Sequence, residues 1–112
     1  MKIITDKLTV NELKTLAANI FGDLVKAVVD INREIIAVDA ELHSDLEALL
    51  LENGSKQKDL WGINFYPELK GDEFVEFDSM INVRPSYGNK SRGVDSKEIR
   101  SKIIEIVAKR VM

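Results

Sequence analysis

Three stretches of the chain repeat apolar residues at the spacing of one buried helix face. Each begins at a residue that commonly caps helices, with a glutamate three positions later, and the two together form a capping-box pattern. The stretches are expected to run from Thr9 to Gly22, from Ser44 to Gly54 and from Asp95 towards residue 112. The pattern therefore predicts three helices, two of which end at a glycine.

Alternating apolar and polar residues between these helices predict two hairpins. The first turns at Asn32-Arg33, and the second joins a strand at 60–66 to a strand at 74–84. The register expected for the first hairpin pairs Val29 with Ile36, Ala27 with Val38 and Val25 with Ala40. Residues 1–4 also fit a short edge strand.

The element order α-ββ-α-ββ-α predicts one α+β domain over residues 1–112. Its sheet would have four largely antiparallel strands, with the helices packed mainly on one face. The residues expected to share that face are Val25, Ala27, Val29, Ile36, Val38, Ile63, Phe65, Val75, Phe77 and Ile81. The other face would carry polar side chains, unless a helix or a partner covers it.

Composition narrows the class of protein. With 45% hydrophobic and 31% charged residues, the chain is typical of globular proteins rather than fibrous or disordered ones. It has no cysteine, which excludes disulfides, thiolate nucleophiles and iron–sulfur clusters and favours a reducing cytoplasm. No apolar run approaches the roughly 20 residues of a membrane helix, and the sequence predicts no signal peptide and no cofactor.

Charge is distributed unevenly along the chain. Residues 1–83 carry 16 acidic residues against 8 Lys or Arg, whereas residues 84–112 carry 3 against 8. This polarity predicts either an anion site near the C-terminal stretch or packing of the basic segment against the acidic body. The pI of about 5.2 disfavours general binding to the phosphate backbone of nucleic acids.

The polar loop 82–93, which leads into the third helix, is the first candidate site. Guanidinium, hydroxyl and amide groups just ahead of a helix start are suited to binding a phosphate or a carboxylate. The candidate anion-binding residues are Asn82, Arg84, Ser86, Asn89 and Arg92. The loop matches no known phosphate-binding pattern, and the alternative is a solvated connection whose arginines pair with the acidic body.

A second candidate site is the run from Asp39 to His43. Because alternate residues of a strand share a face, Asp39, Glu41 and His43 could together bind a zinc, manganese or iron ion. His43 lies next to a helix cap, however, where the strand is expected to have ended. The alternative is an exposed histidine beside two acids.

The polar face of the second hairpin offers a third candidate. Asp78, Asn82 and Arg84 follow one another on one strand, and Asn64 lies on its neighbour. A carboxylate beside an arginine could position a polar ligand, and Asp78 could act as a base. An ionic ladder on a solvated sheet would give the same pattern.

Three segments, AELHSDLEALLLENGS, LWGINFYP and EFDSMINVRPSYGNKSRG, together resemble a family of small bacterial and archaeal proteins defined as a domain of unknown function. The resemblance covers nearly the whole chain. It implies an independent single-domain protein, and it brings no activity, cofactor or catalytic residue with it.

The sequence leaves two main interpretations of function, and the net charge of −3 argues against a third, an RNA-cleaving domain that would use Arg84, Arg92 and His43. The first is a binding module or enzyme for an anionic small molecule that uses loop 82–93. The second is a non-enzymatic module that forms homo-oligomers or binds another protein. Tyr66 and Met80 would be apolar residues on a polar face, and they indicate either a ligand pocket or the interface of a homodimer.

Overall fold

A five-stranded antiparallel sheet forms the centre of the computed structural model, which describes residues 1–112. In chain order the elements are β1 (Lys2–Ile4), α1 (Val10–Asn19), β2 (Val25–Asp30), β3 (Ile35–Val38), α2 (His43–Glu52), β4 (Leu60–Phe65), β5 (Val75–Glu76) and α3 (Lys97–Arg110). The strand order across the sheet is β1-β3-β2-β4-β5. The α+β class with three helices is confirmed, and the sheet has five strands because the edge strand at the start of the chain pairs with β3.

The first hairpin has the predicted register. Val29 pairs with Ile36 and Ala27 with Val38. The turn comprises residues 31–34, because Asp30 pairs with Ile35. The Asp30 carboxylate accepts hydrogen bonds from two amides of this turn, and Glu34 takes a left-handed φ of 58°. The pairing expected further along, at residues 25 and 40, does not form, since β3 ends at Val38.

The sheet is covered on both faces. The face under α1 and α3 holds the larger core, whose buried residues are Ile4, Leu8, Leu13, Ala17, Val25, Ala27, Val29, Ile36, Val38, Trp61, Ile63, Phe65, Val94, Ile103, Ile106 and Val107. Two of the three helices thus lie on one face, as expected. The third, α2, packs on the opposite face against Val28, Ile35 and Ala37, because β3 is apolar on both sides and β2 adds Val28 to that face. None of the helices combines the length and the apolar character that crossing a bilayer requires.

Gly62 explains why the second hairpin is shorter than predicted. A Cβ atom built on Gly62 would lie 2.5 Å from the Cβ atom of Ser79, so the chain crosses over β4 where the side chain is missing. Residues Met80–Asn82 form a 3₁₀ turn there. The prediction of a strand at 74–84 is therefore wrong beyond residue 76, and Ile81 packs on the α2 face rather than the predicted one.

The helix starts follow the predicted patterns only in part. The capping box at Thr9 is confirmed, because its hydroxyl accepts from the Glu12 amide at 3.1 Å. The second helix begins at His43, one residue before the predicted cap, without a side-chain cap. The third is capped by Ser96 rather than by Asp95, whose carboxylate binds the preceding loop instead.

Candidate functional site

Asn82 closes the edge of β4 in place of a strand. Its Oδ1 accepts a hydrogen bond from the Gly62 amide at 2.8 Å, and its Nδ2 donates to the Gly62 carbonyl at 3.0 Å. Nδ2 also donates to the Arg92 carbonyl at 2.9 Å. The side chain is fully buried, so this candidate anion-binding residue serves as a substitute for a backbone peptide.

Asn89 holds the loop together from within. Its Oδ1 accepts from the Asp95 amide at 2.8 Å, and its Nδ2 shares two hydrogens among three carbonyls of the loop, those of Asn82, Ser91 and Gly93. The side chain is 3% exposed. Both polar atoms of a second candidate residue are therefore paired inside the protein.

Arg84 is buried against the same edge of the sheet. Its guanidinium donates to the carbonyls of Gln57 and Leu60, the latter at 2.7 Å. The group also lies 4.3 Å from the Trp61 ring centroid and 5.8 Å from that of Tyr87. A guanidinium between two rings and two carbonyls stabilises the loop, and burial lowers its pKa.

The remaining loop candidates, Ser86 and Arg92, lie apart from this framework. Ser86 is exposed. Arg92 places its Nε 2.8 Å from Asp78 Oδ1 and lines a pocket on the α2 face. The donors at the end of the loop already bind a carboxylate, because Asp95 accepts from the Lys90 amide and the Ser91 hydroxyl, which together lower its pKa.

The basic segment packs against the acidic body, which was one of the two alternatives from the charge distribution. Lys102 and Lys109 on α3 both bind the Glu34 carboxylate, at 2.9 and 2.8 Å. Arg110 donates from Nε to the Glu34 carbonyl at 2.9 Å. Hydrogen bonds from Lys109 and Lys102 lower the pKa of Glu34 to about 2. These cations of the basic segment are thus used within the fold.

The three predicted metal ligands do not converge. Asp39 pairs with the N-terminal ammonium at 3.5 Å, Glu41 is exposed, and His43 lies at the start of α2 with its ring against the Ile63 carbonyl. No group of three His, Asp or Glu side chains comes together in a way that could hold a metal ion. The strand on which the prediction relied ends at Val38, so the alternation does not extend to His43.

A pocket of about 440 Å³ lies on the α2 face, beside the part of the sheet that α2 leaves uncovered. It brings together residues that the sequence analysis had assigned to separate sites: His43, Asn64, Tyr66, Asp78, Met80 and Arg92. Its other lining residues are Leu24, Lys26, Leu42, Ser44, Glu76, Ser79 and Ile81. We refer to it as the polar pocket.

His43 enters the polar pocket as a neutral base. Its Nε2 lies 2.8 Å from the Ile63 carbonyl oxygen. Because a carbonyl only accepts hydrogen bonds, Nε2 carries the proton and Nδ1 keeps a free lone pair. Burial lowers the pKa of His43, and the nearby charge of Lys26 acts in the same direction. The hydrogen bond to Ile63, the neighbouring Asn64 amide and the charge of Asp78 oppose them. The imidazole is therefore uncharged at neutral pH.

Asn64 provides a buried acceptor in the wall of the pocket. Its Nδ2 donates to Glu76 Oε1 at 2.9 Å and to the Asp78 carbonyl at 3.2 Å. Its Oδ1 has no hydrogen-bond partner, although the residue is only 6% exposed. A buried acceptor without a donor is uncommon in proteins and is a reason to look for a ligand.

The pocket carries both signs of charge. Lys26 makes no ion pair, and its ammonium lies 5.1 Å from the Phe21 ring centroid. Arg92 and Asp78 pair through a single short contact, which leaves the terminal amino groups of Arg92 uncommitted. Glu76 accepts from the Tyr66 hydroxyl at 3.2 Å. The available cations are therefore Lys26 and part of Arg92.

Sequence reasoning assigned six of the thirteen lining residues to candidate sites, and it missed Lys26 and Ser44 among the others. The hairpin register expected from the sequence would place Lys26 opposite Asp39, but Asp39 binds the N-terminus. The register between β2 and β4 could have revealed Lys26 as a site residue, since Lys26 pairs with Asn64 on the neighbouring strand.

Comparison with known proteins gives one match. A family model described as "Protein of unknown function (DUF5674)" matches residues 2–110. No curated protein and no solved structure matches the chain.

Proposed function

The chain belongs to the DUF5674 family of proteins of unknown function, and we propose from the geometry of its polar pocket that it is a binding module or enzyme for a small anionic molecule. The observation that carries this proposal is Lys26, a cation without an ionic partner in the wall of a concave site. A lysine in such a site lacks the counter-ion that a ligand carboxylate or phosphate would supply.

The other lining residues suit the rest of such a ligand. Arg92 can donate from its terminal amino groups to the same anion, and the hydroxyl of Ser44 can fix its orientation. Leu24, Leu42 and Ile81 offer apolar surface for a carbon skeleton. A mixed lining of this kind is typical of small-molecule sites.

The proposal moves the anion from loop 82–93 to the polar pocket. Arg92 is the residue common to both. Arg84 and Asn89 then act by holding the loop in shape, and Asn82 by fixing the turn that forms one wall of the pocket. We also propose a cytoplasmic location in a bacterial or archaeal cell, supported by the composition and by the family resemblance.

The test measures binding of isocaproate, a branched carboxylate, by calorimetry. Lys26→Gln is expected to weaken binding by about ten-fold, because one charge-assisted hydrogen bond is lost. Lys58→Gln is the control, since it removes the same charge from an exposed lysine outside the pocket. Equal losses in both variants, or no binding to the wild-type protein, would contradict the proposal.

One observation favours a second function, a homodimeric interaction module. Met80 and Leu42, which are 66% and 53% exposed, lie together on the rim of the pocket. Two large apolar side chains at one rim are suited to contact with a second copy. Light scattering at high protein concentration tests this: a dimer that Met80→Lys dissociates supports it, and a monomer throughout excludes it.

A further inference from the structure

The polar pocket contains two neighbouring hydrogen-bond acceptors that cannot satisfy each other. His43 presents Nδ1 as a lone pair, because Nε2 carries the proton and donates it to the Ile63 carbonyl. Asn64 presents Oδ1, which also only accepts, and its side chain lies beside the imidazole. While His43 is neutral, both atoms therefore need a hydrogen-bond donor from outside the protein. Once Nδ1 is protonated it can donate to Asn64, the contact that raises the pKa of His43.

The orientation of the Asn64 amide is fixed by its other contacts. Its Nδ2 faces the Glu76 carboxylate and the Asp78 carbonyl, which are both acceptors. A flip of the amide would place Oδ1 against these two oxygens and would lose both hydrogen bonds. The unpaired acceptor thus belongs on the side of the pocket that His43 also lines.

The sheet register brings the cation and the acceptor close together. Lys26 on β2 pairs with Asn64 on β4, and Asn64 pairs in turn with Glu76 on β5. Side chains at paired positions lie on the same face with Cβ atoms about 5 Å apart. An anionic group bound by Lys26 therefore lies on the same sheet face and in the same pocket as Asn64.

We infer that the ligand of the polar pocket is a carboxylate with a hydroxyl or amino group on the adjacent carbon, and that this group donates to Asn64 Oδ1 or His43 Nδ1 or, as an ammonium, to both. The inference rests on the proposed function, since the carboxylate is placed at Lys26 and Arg92. It adds a requirement for a donor group, which the cations alone do not impose. A hydroxyl has one hydrogen and can pair one of the two acceptors, whereas an ammonium has three and can pair both.

A matched series of three compounds tests the requirement with the wild-type protein. Isocaproate has no donor on its α-carbon, leucic acid carries a hydroxyl there, and leucine carries an ammonium. We expect leucic acid, leucine or both to bind about ten-fold more tightly than isocaproate, because only they bring a hydrogen-bond donor to these acceptors. The tighter of the two identifies the donor.

The outcomes separate the inference from the proposed function. Isocaproate binding that depends on Lys26, together with equal binding of all three compounds, would leave the anion site standing but show that the inference is wrong. This is the result expected if water alone fills the two acceptors. If none of the three binds, the proposed function itself fails. Tighter binding of leucic acid or leucine supports both.

A second readout uses the imidazole, because His43 is the only histidine in the chain. Nitrogen NMR should show Nε2 protonated and Nδ1 unprotonated at neutral pH, with Nδ1 shifting when leucic acid binds. The preference for leucic acid should vanish once acid protonates His43, whose charged neighbours are Lys26 and Asp78. A proton on Nδ1 at neutral pH, or a preference that persists in acid, would overturn the role of His43.

Discussion

Three buried asparagines allow loop 82–93 to be compared with the polar pocket. In the loop, Asn82 and Asn89 pair both of their polar atoms with the protein. In the pocket, Asn64 pairs its Nδ2 but leaves Oδ1 without a donor. The same residue type therefore builds structure in one region and leaves binding capacity in the other. For these asparagines, whether the amide atoms are already paired separates the framework from the site.

The largest effect is expected from breaking the loop framework. Asn82→Ala leaves the amide and the carbonyl of Gly62 buried without partners, which should lower the free energy of unfolding by about 3 kcal/mol. Urea denaturation measures it. Ser86→Ala, at an exposed position of the same loop, serves as the control and should change stability by less than about 0.5 kcal/mol. A neutral Asn82→Ala would mean that the loop amide is not a structural element.

The crossing at Gly62 should give the next largest effect. Gly62→Ala introduces a Cβ atom 2.5 Å from Ser79, in a place that no rotamer change can relieve. The expected cost is about 2 kcal/mol, from forced movement of the backbone. Because Ser79 and its neighbours line the polar pocket, isocaproate binding should weaken as well. An alanine tolerated without loss in either measurement would contradict the crossing.

Asn64→Ala should cost less than the matching change at Asn82. It removes one hydrogen bond to a carboxylate that water can reach and one to a single carbonyl, so we expect about 1 kcal/mol. Asn64→Ala should, however, weaken leucic acid binding more than Asn82→Ala does. A reversed order, with Asn64 dominating stability and Asn82 dominating binding, would invert the comparison between the regions.

The smallest effect is expected at Glu34, whose partners Lys102 and Lys109 lie outside both loop 82–93 and the polar pocket. Glu34 has a folded-state pKa of about 2, against an ordinary value of 4.5, because Lys109 and Lys102 bind it. Its contribution to stability is therefore complete above pH 4.5 and is lost as the pH falls towards 2. Glu34→Gln should reduce the loss of stability across this window in acid denaturation followed by circular dichroism. An unchanged acid transition would show that the pairs contribute nothing.

Local patterns predicted the helices and the first hairpin, because caps and strict alternation are encoded by near neighbours. The second hairpin could not be read in the same way. The residues after Glu76 still alternate, yet the missing Cβ of Gly62, a residue distant in sequence, lets the chain cross the sheet there. A strand and a crossing turn look alike until the partner is known.

The polar pocket was only partly predictable for a related reason. Tyr66 and Met80 indicated either a pocket or an interface, and both residues line the pocket. The roles of His43 and Asn64 depend on which atoms are already paired, and that depends on residues from three strands and a helix. Because α2 begins at His43, one residue before the predicted cap, this histidine is a buried base rather than the exposed metal ligand that the sequence suggested.

Mapping of amide NMR shifts during titration with leucic acid tests the central claim most directly, because it reports on both regions in one experiment. The account predicts shifts that saturate at Lys26, Ser44 and Asn64, while Ser86 and Asn89 stay unmoved. Shifts confined to residues 84–90, with the pocket unmoved, would contradict it and return the anion site to the loop.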